Sequence, residues 1–157
     1  MIKNLLWATS SIALMTGCAS TPTTKNPNIG LQGLLICQTN EICPIVTIAW
    51  NESFKDSLKV KMSLNSAYQK YNIQKVILTN GEKSHTFNVT GPTAHDYVFG
   101  SYRSRNNIMV PVNLIADFSG SQKISMNIHT DQGVISRYIL KDNLKAPIFE
   151  ELSKAYK

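Results

Sequence analysis

The chain has 157 residues, with 16 Lys and Arg against 10 Asp and Glu, and 43% of its residues are hydrophobic. That length suits one domain with a tail and excludes a two-domain enzyme. The apolar fraction excludes wholesale disorder, and no run of 18 apolar residues is present to make an ordinary membrane-spanning helix.

Residues 1–17, MIKNLLWATSSIALMTG, place Lys3 ahead of an apolar stretch at 5–15 that is too short to span a bilayer, and small residues follow. This is the layout of a secretory signal peptide, to be set aside in reasoning about the fold. Its end, Met15-Thr16-Gly17-Cys18, resembles the lipobox of bacterial lipoproteins, with Met15 where Leu is usual and Leu14 just before it. The resemblance covers residues 1–19 alone. It implies that the Cys18 sulfur takes a diacylglycerol, that cleavage falls before Cys18, and that the new amino terminus is acylated. A thiolate is the one good nucleophile in this segment for forming such a thioether. Several acyl chains (palmitate and its like) anchor stably where one would be marginal. Ala19, rather than Asp, after the cysteine implies the outer membrane, facing the periplasm.

Lys3 leaves with the signal, so 15 basic residues remain against 10 acidic ones. Residues 19–30, ASTPTTKNPNIG, hold no large apolar side chain but Ile29. With Cys18 they form the expected tether, 18–30, whose twelve flexible residues span roughly 20 Å and keep the domain close to the membrane rather than on it.

The domain, residues 31–157, is patterned for strands. Residues 45–50, IVTIAW, put Val46, Ile48 and Trp50 on one face. Residues 58–64, LKVKMSL, alternate strictly, with Leu58, Val60, Met62 and Leu64 one way and Lys59, Lys61 and Ser63 the other. A hairpin is expected from 73–79 through Asn80-Gly81 to 84–90, since Asn-Gly favours the positive φ of a tight turn. Residues 91–107, GPTAHDYVFGSYRSRNN, read as a loop in which YVF makes at most a short strand, followed by a strand at 107–112. Pro111 opens an expected short helix to 119, carrying Leu114, Ile115 and Phe118, with Gly120 ending it. Residues 124–129, turn 130–133 and 134–140 give another hairpin. The last element is a helix over 146–156, with Pro147 in its first turn and Ile148, Phe149, Leu152, Ala155 and Tyr156 as an apolar stripe. The fold class is therefore α+β, an antiparallel meander with a terminal helix; a sandwich and a small barrel are both compatible. No internal repeat and no domain family is recognisable.

Cys37 and Cys43 bracket QTNEI, and in an oxidising compartment such a pair is expected to form a disulfide. Their spacing is not that of a redox Cys-x-x-Cys, and no His lies near enough for a zinc site. His85, His95 and His129 show no ligand spacing, and no metal or other cofactor is expected. Ser119-Gly120-Ser121 lacks the glycine pattern of a nucleophile elbow, and no glycine-rich phosphate loop occurs. The outward Lys59 and Lys61, with Lys75, Lys83 and Lys123 expected nearby, suit an anionic partner or merely a solvated face. Export argues against nucleic acid. Tyr102, Arg103 and Arg105 are the candidate partner-binding residues, because Tyr and Arg dominate interface hot spots and loops on rigid sheets tend to bind. Tyr97 and Phe99 read as core plugs on the structural alternative.

The function this favours is non-enzymatic: a lipid-anchored outer-membrane protein whose β-rich domain binds an envelope protein or an anionic glycan or lipid. An inhibitor or immunity lipoprotein blocking an incoming enzyme or phage is the second class, weakened for cationic targets by the domain's own basic charge. A small envelope hydrolase is the third.

Overall fold

The computed structural model describes residues 31–50 and 55–155. Cys18, the signal segment 1–17, the tether 18–30 and Tyr156 lie outside the described residues. The strands are, in chain order, β1 (Leu31–Leu34), β2 (Ile45–Ala49), β3 (Ser57–Ser66), β4 (Ile73–Thr79), β5 (Ser84–Asn88), β6 (Ala94–Val98) and β7 (Ser101–Pro111). A 3-10 helix (Leu114–Phe118) follows, then β8 (Lys123–Thr130), β9 (Gly133–Lys141), β10 (Leu144–Lys145) and the helix α1 (Pro147–Ala155). They form two five-stranded antiparallel sheets, the first ordered β1-β2-β3-β7-β6 and the second β10-β9-β8-β4-β5.

Alternation builds the core. Val46 and Ile48 of β2, Leu58, Val60, Met62 and Leu64 of β3, and Ile108 and Val110 of β7 are buried from the first sheet. Ile73, Val76 and Leu78 of β4 and Ile124, Met126 and Ile128 of β8 are buried from the second, and all of them join one cluster. The domain is thus an α+β sandwich, not a closed barrel. Each such side chain removed from water contributes about 1.5–3 kcal/mol before entropy is counted. Ile148 and Leu152 bury one face of α1 against this core, and Leu114 and Phe118 do the same for the 3-10 helix. Among the described residues no helix is long and apolar enough to cross a membrane.

Cys37 and Cys43 are bonded, with S–S 2.09 Å and Cα atoms 5.7 Å apart. The bond closes a loop that stitches the sheets together. Ile36 N–H donates to the Tyr138 carbonyl of β9 at 2.8 Å, and Arg137 Nε donates to the Ile42 carbonyl at 3.0 Å.

Four local expectations need correction. Trp50 is 52% exposed, because β2 ends at Ala49 and its alternation no longer aims the next side chain. The β4–β5 hairpin turns through four residues, not two. Only Gly81 takes a positive φ (99°) there, while the Asn80 side-chain oxygen accepts the N–H groups of Glu82 and Lys83 at 3.0 and 2.7 Å. Asn80 thus acts through its side chain rather than its backbone. Pro111 closes β7 instead of opening a helix. The helix after it is a five-residue 3-10 turn with Ala116 N–H on Asn113 and Ser119 N–H on Ala116, a length too short to reward the α form. The fourth correction concerns 91–107, which is not a loop: 94–98 and 101–111 are paired strands.

Candidate functional site

The β6–β7 ribbon is the edge of the first sheet, and buried polar groups hold it there. The chain leaves β5 in the second sheet and crosses to β6 in the first through residues 89–93. Thr90 N–H donates to the Asn107 carbonyl at 2.9 Å. Asn106 Nδ2 donates to the Gly91 carbonyl at 3.0 Å and to Thr93 Oγ1 at 3.2 Å, while Thr93 Oγ1 accepts Ile73 N–H at 2.9 Å. Ser104, fully buried, accepts Tyr71 N–H at 2.9 Å, and its Oγ lies 3.2 Å from His95 Nδ1. The Ser104 hydroxyl can both accept and donate, so it serves Tyr71 N–H and the His95 ring nitrogen together. Ser104 and Asn106 therefore occupy inward positions where an apolar residue would ordinarily mark a strand. Their polarity is why 101–106 looked like loop, although the alternation itself was present.

That same alternation divides the candidate residues. Arg103 and Arg105 share the outer face of the first sheet, and Tyr102 projects from the opposite side. There Tyr102 meets Tyr97 edge-on at 5.1 Å, with Lys70 Nζ 5.6 Å from its ring centre. The three do not make one flat surface. Tyr97 and Phe99 do not plug the core either: they are 64% and 102% exposed.

On the outer face Asp96 is gripped by both arginines. Arg103 donates through Nε at 3.0 Å and through its terminal nitrogen, and Arg105 reaches the same carboxylate at 3.3 Å. The Arg103 hydrogen bond holds the Asp96 carboxyl below the usual carboxylate range; partial burial opposes it, and the charges of Arg103 and Arg105 add to the lowering. Asp96 is the one carboxylate in the ten strands.

Beside this cluster lies a groove of about 430 Å³, open to solvent. Its floor is the outward row of three strands: Thr47 of β2 opposite Lys61 of β3, and Lys61 opposite Asn107 of β7. Ile45, Ser63 and Arg105 form the next row, and Thr90 to Pro92 make the wall. Asn107 Nδ2 donates to Thr90 Oγ1, which fixes that wall to the floor. Two cations, the hydroxyls of Thr47, Ser63 and Thr90 and no carboxylate in the lining suit an anion, with Ile45, Pro92 and Ala94 giving the groove an apolar side. Lys61 and Arg105 lie far apart in the chain. Only the register across β2, β3 and β7 shows that they border one depression.

The remaining candidates are dispersed. Lys75 and Lys123 belong to the second sheet and Lys83 to its β4–β5 turn, so none joins Lys59 and Lys61. His85 of β5 is half-buried, lies 3.3 Å from the Asp117 carboxylate and packs edge-on against Phe118 at 5.4 Å. His129 sits on β8, across from Val134 and Lys75. Among the described residues no three His, Cys, Asp or Glu side chains gather in one place. Compared with known protein families, with curated proteins and with solved structures, the chain gives no match in any of the three comparisons.

Proposed function

We propose that this is a lipid-anchored envelope protein whose sandwich domain is a non-enzymatic binding module for an acidic partner. The N-terminal resemblance at Met15 to Ala19 supplies the anchor, at Cys18, and the outer membrane as its place. The observation that carries the binding reading is the groove on the first sheet. Lys61 and Arg105 border it, Lys59 and Arg103 extend its positive field, and the nearest strand carboxylate, Asp96, is held chiefly by Arg103 and shared with Arg105. An acidic envelope protein or an anionic glycan presents the complementary charge, and such complementarity governs encounter rate and choice of partner.

The test needs a control for charge alone. Lys61→Glu with Arg105→Glu should weaken binding of a partner recovered from solubilised envelope, and then purified, at least tenfold. Lys75→Glu with Lys141→Glu makes the same charge change on the second sheet and should cost less than threefold. Equal losses would reduce the effect to net charge. No loss from the first pair would remove the groove.

A further inference from the structure

The β6–β7 hairpin turns through two residues, Phe99 and Gly100, between the paired Val98 and Ser101. Both central residues have positive φ, 48° and 80°, the pattern of a type I′ turn. Asn, Asp or Gly ordinarily stands at the first of these positions, because a side chain with a bulky Cβ substituent is strained there. The same chain obeys that preference elsewhere. Its β9–β10 connection, between the paired Lys141 and Leu144, uses Asp142 and Asn143 at φ 51° and 68°. At 98–101 it instead holds a phenylalanine in a strained conformation, and that ring is 102% exposed. The strain therefore returns no packing to the fold, which points to a contact outside it.

The surroundings indicate what kind. Tyr68 is 92% exposed and Tyr97 64%, both at the end of the sandwich where Ser66 of β3 pairs with Tyr102 of β7. Lys70 lies over the Tyr102 ring. The carboxylates at this end are engaged: Asp96 by Arg103, Glu41 by Arg137 at 3.4 Å, and Asp131 by Asn72 N–H at 2.8 Å. A bare apolar tip, tyrosines behind it and a cation beside them is the arrangement that suits a bilayer interface, with the ring among acyl chains and the tyrosines at the headgroups.

The chain ahead of the domain can reach. Leu31 pairs with Ile48, which pairs with Val60, so the strand entrance lies six residues along β3 from Ser66. That is about 20 Å at the rise of a strand. The twelve residues 19–30 extend to roughly 40 Å at most, enough for a lipid on Cys18 and the hairpin tip to meet one bilayer together.

We infer that the Phe99 tip is a membrane-docking wedge that seats the domain on the bilayer, where the tether alone would only hold it close, with Tyr68, Tyr97 and Lys70 at the headgroup level. The inference rests on the anchor of the proposed function but not on the groove. To test it, the mature, lipidated Phe99→Trp protein is reconstituted with phosphatidylethanolamine–phosphatidylglycerol vesicles and compared with the parent protein, whose Trp50 emission is subtracted. Emission from position 99 should shift to the blue and fall at least twofold when the vesicle lipids are brominated in their acyl chains. In a parallel variant, Phe99→Asn should raise the melting temperature, because Asn suits the turn and the ring supports nothing within the domain. Protein that floats with the vesicles while position 99 stays unquenched overturns the wedge and leaves the anchor standing. Protein that does not float removes both. A lower melting temperature for Phe99→Asn also overturns the inference, by giving the ring a structural role.

Discussion

The outer faces of the two sheets carry the same net charge and arrange it differently. Four bases less Asp96 stand on the first sheet (Lys59, Lys61, Arg103, Arg105), and three lysines on the second (Lys75, Lys123, Lys141). On the second face Lys123 and Lys141 lie 5.2 and 5.0 Å from the ring centre of Tyr138 at one end, while Lys75 sits near the other. Between them the middle row is Thr86, Ile77, Asn127 and Ser136, without a charge. On the first face the bases occupy the adjacent strands β3 and β7, and two of them, Lys61 and Arg105, border a groove. A count of charges cannot separate the two. What distinguishes a candidate binding face is cations converging on a concave site, since fields add there and disperse over a flat, solvated sheet.

The comparison depends first on strand register, and breaking it should produce the largest effect. Met62→Lys forces an ammonium into the shared core and should cost about 4 kcal/mol or more, enough to threaten folding. Lys61→Met, one residue away on the outer face, should keep the melting temperature within a few degrees while weakening binding of acidic ligand. Equal destabilisation by the two would mean that β3 presents the wrong face to the groove.

Next comes the link between the sheets. Replacing Cys37 and Cys43 with alanine should lower stability by roughly 2 kcal/mol, the loop-closure value for so short a ring. The domain should still fold, since both sheets share a core of their own. Denaturant unfolding measures the loss. Groove-dependent binding should persist, because β2, β3 and β7 are paired without the bond.

The smallest effect sharpens the electrostatics of the first face. The folded Asp96 carboxyl titrates below its ordinary value near 3.8 because Arg103 hydrogen-bonds it. A depressed carboxylate contributes stability above its unfolded pKa and loses it as pH falls through the folded one. The Asp96→Asn variant should thus melt slightly below the parent at pH 7, by the same margin down to about pH 5, and converge with it below about pH 4. Melting curves across that range give the answer. High salt should shrink the margin, as for any exposed ion pair.

Much of this fold was legible in the chain because a strand with one buried face writes its period directly into the sequence. LKVKMSL at 58–64 and KISMNIHT at 123–130 lie in strands, with Leu58, Val60, Met62 and Leu64, and Ile124, Met126 and Ile128, buried. The terminal helix and the Cys37–Cys43 bond followed from an apolar stripe and from spacing. The β6–β7 ribbon did not, because its inward positions are Ser104 and Asn106, whose burial is satisfied by Tyr71 N–H, the Gly91 carbonyl and Thr93. Those partners come from remote segments, so no local pattern announces them.

By itself, then, the sequence determined the strand periods, the fold class, the cystine and an excess of basic residues, all of them set by neighbours within a few positions. Tertiary structure decided which outward residues share a face. Lys61 and Arg105 border one groove only because β3 and β7 pair in a particular register, and Tyr102 parts from Arg103 because the chain there is a strand and not a loop. Phe99 is exposed for a related reason. Its hydrophobicity marked it for the core, but a two-residue turn beyond the last β3–β7 pair leaves its ring no inner face to join.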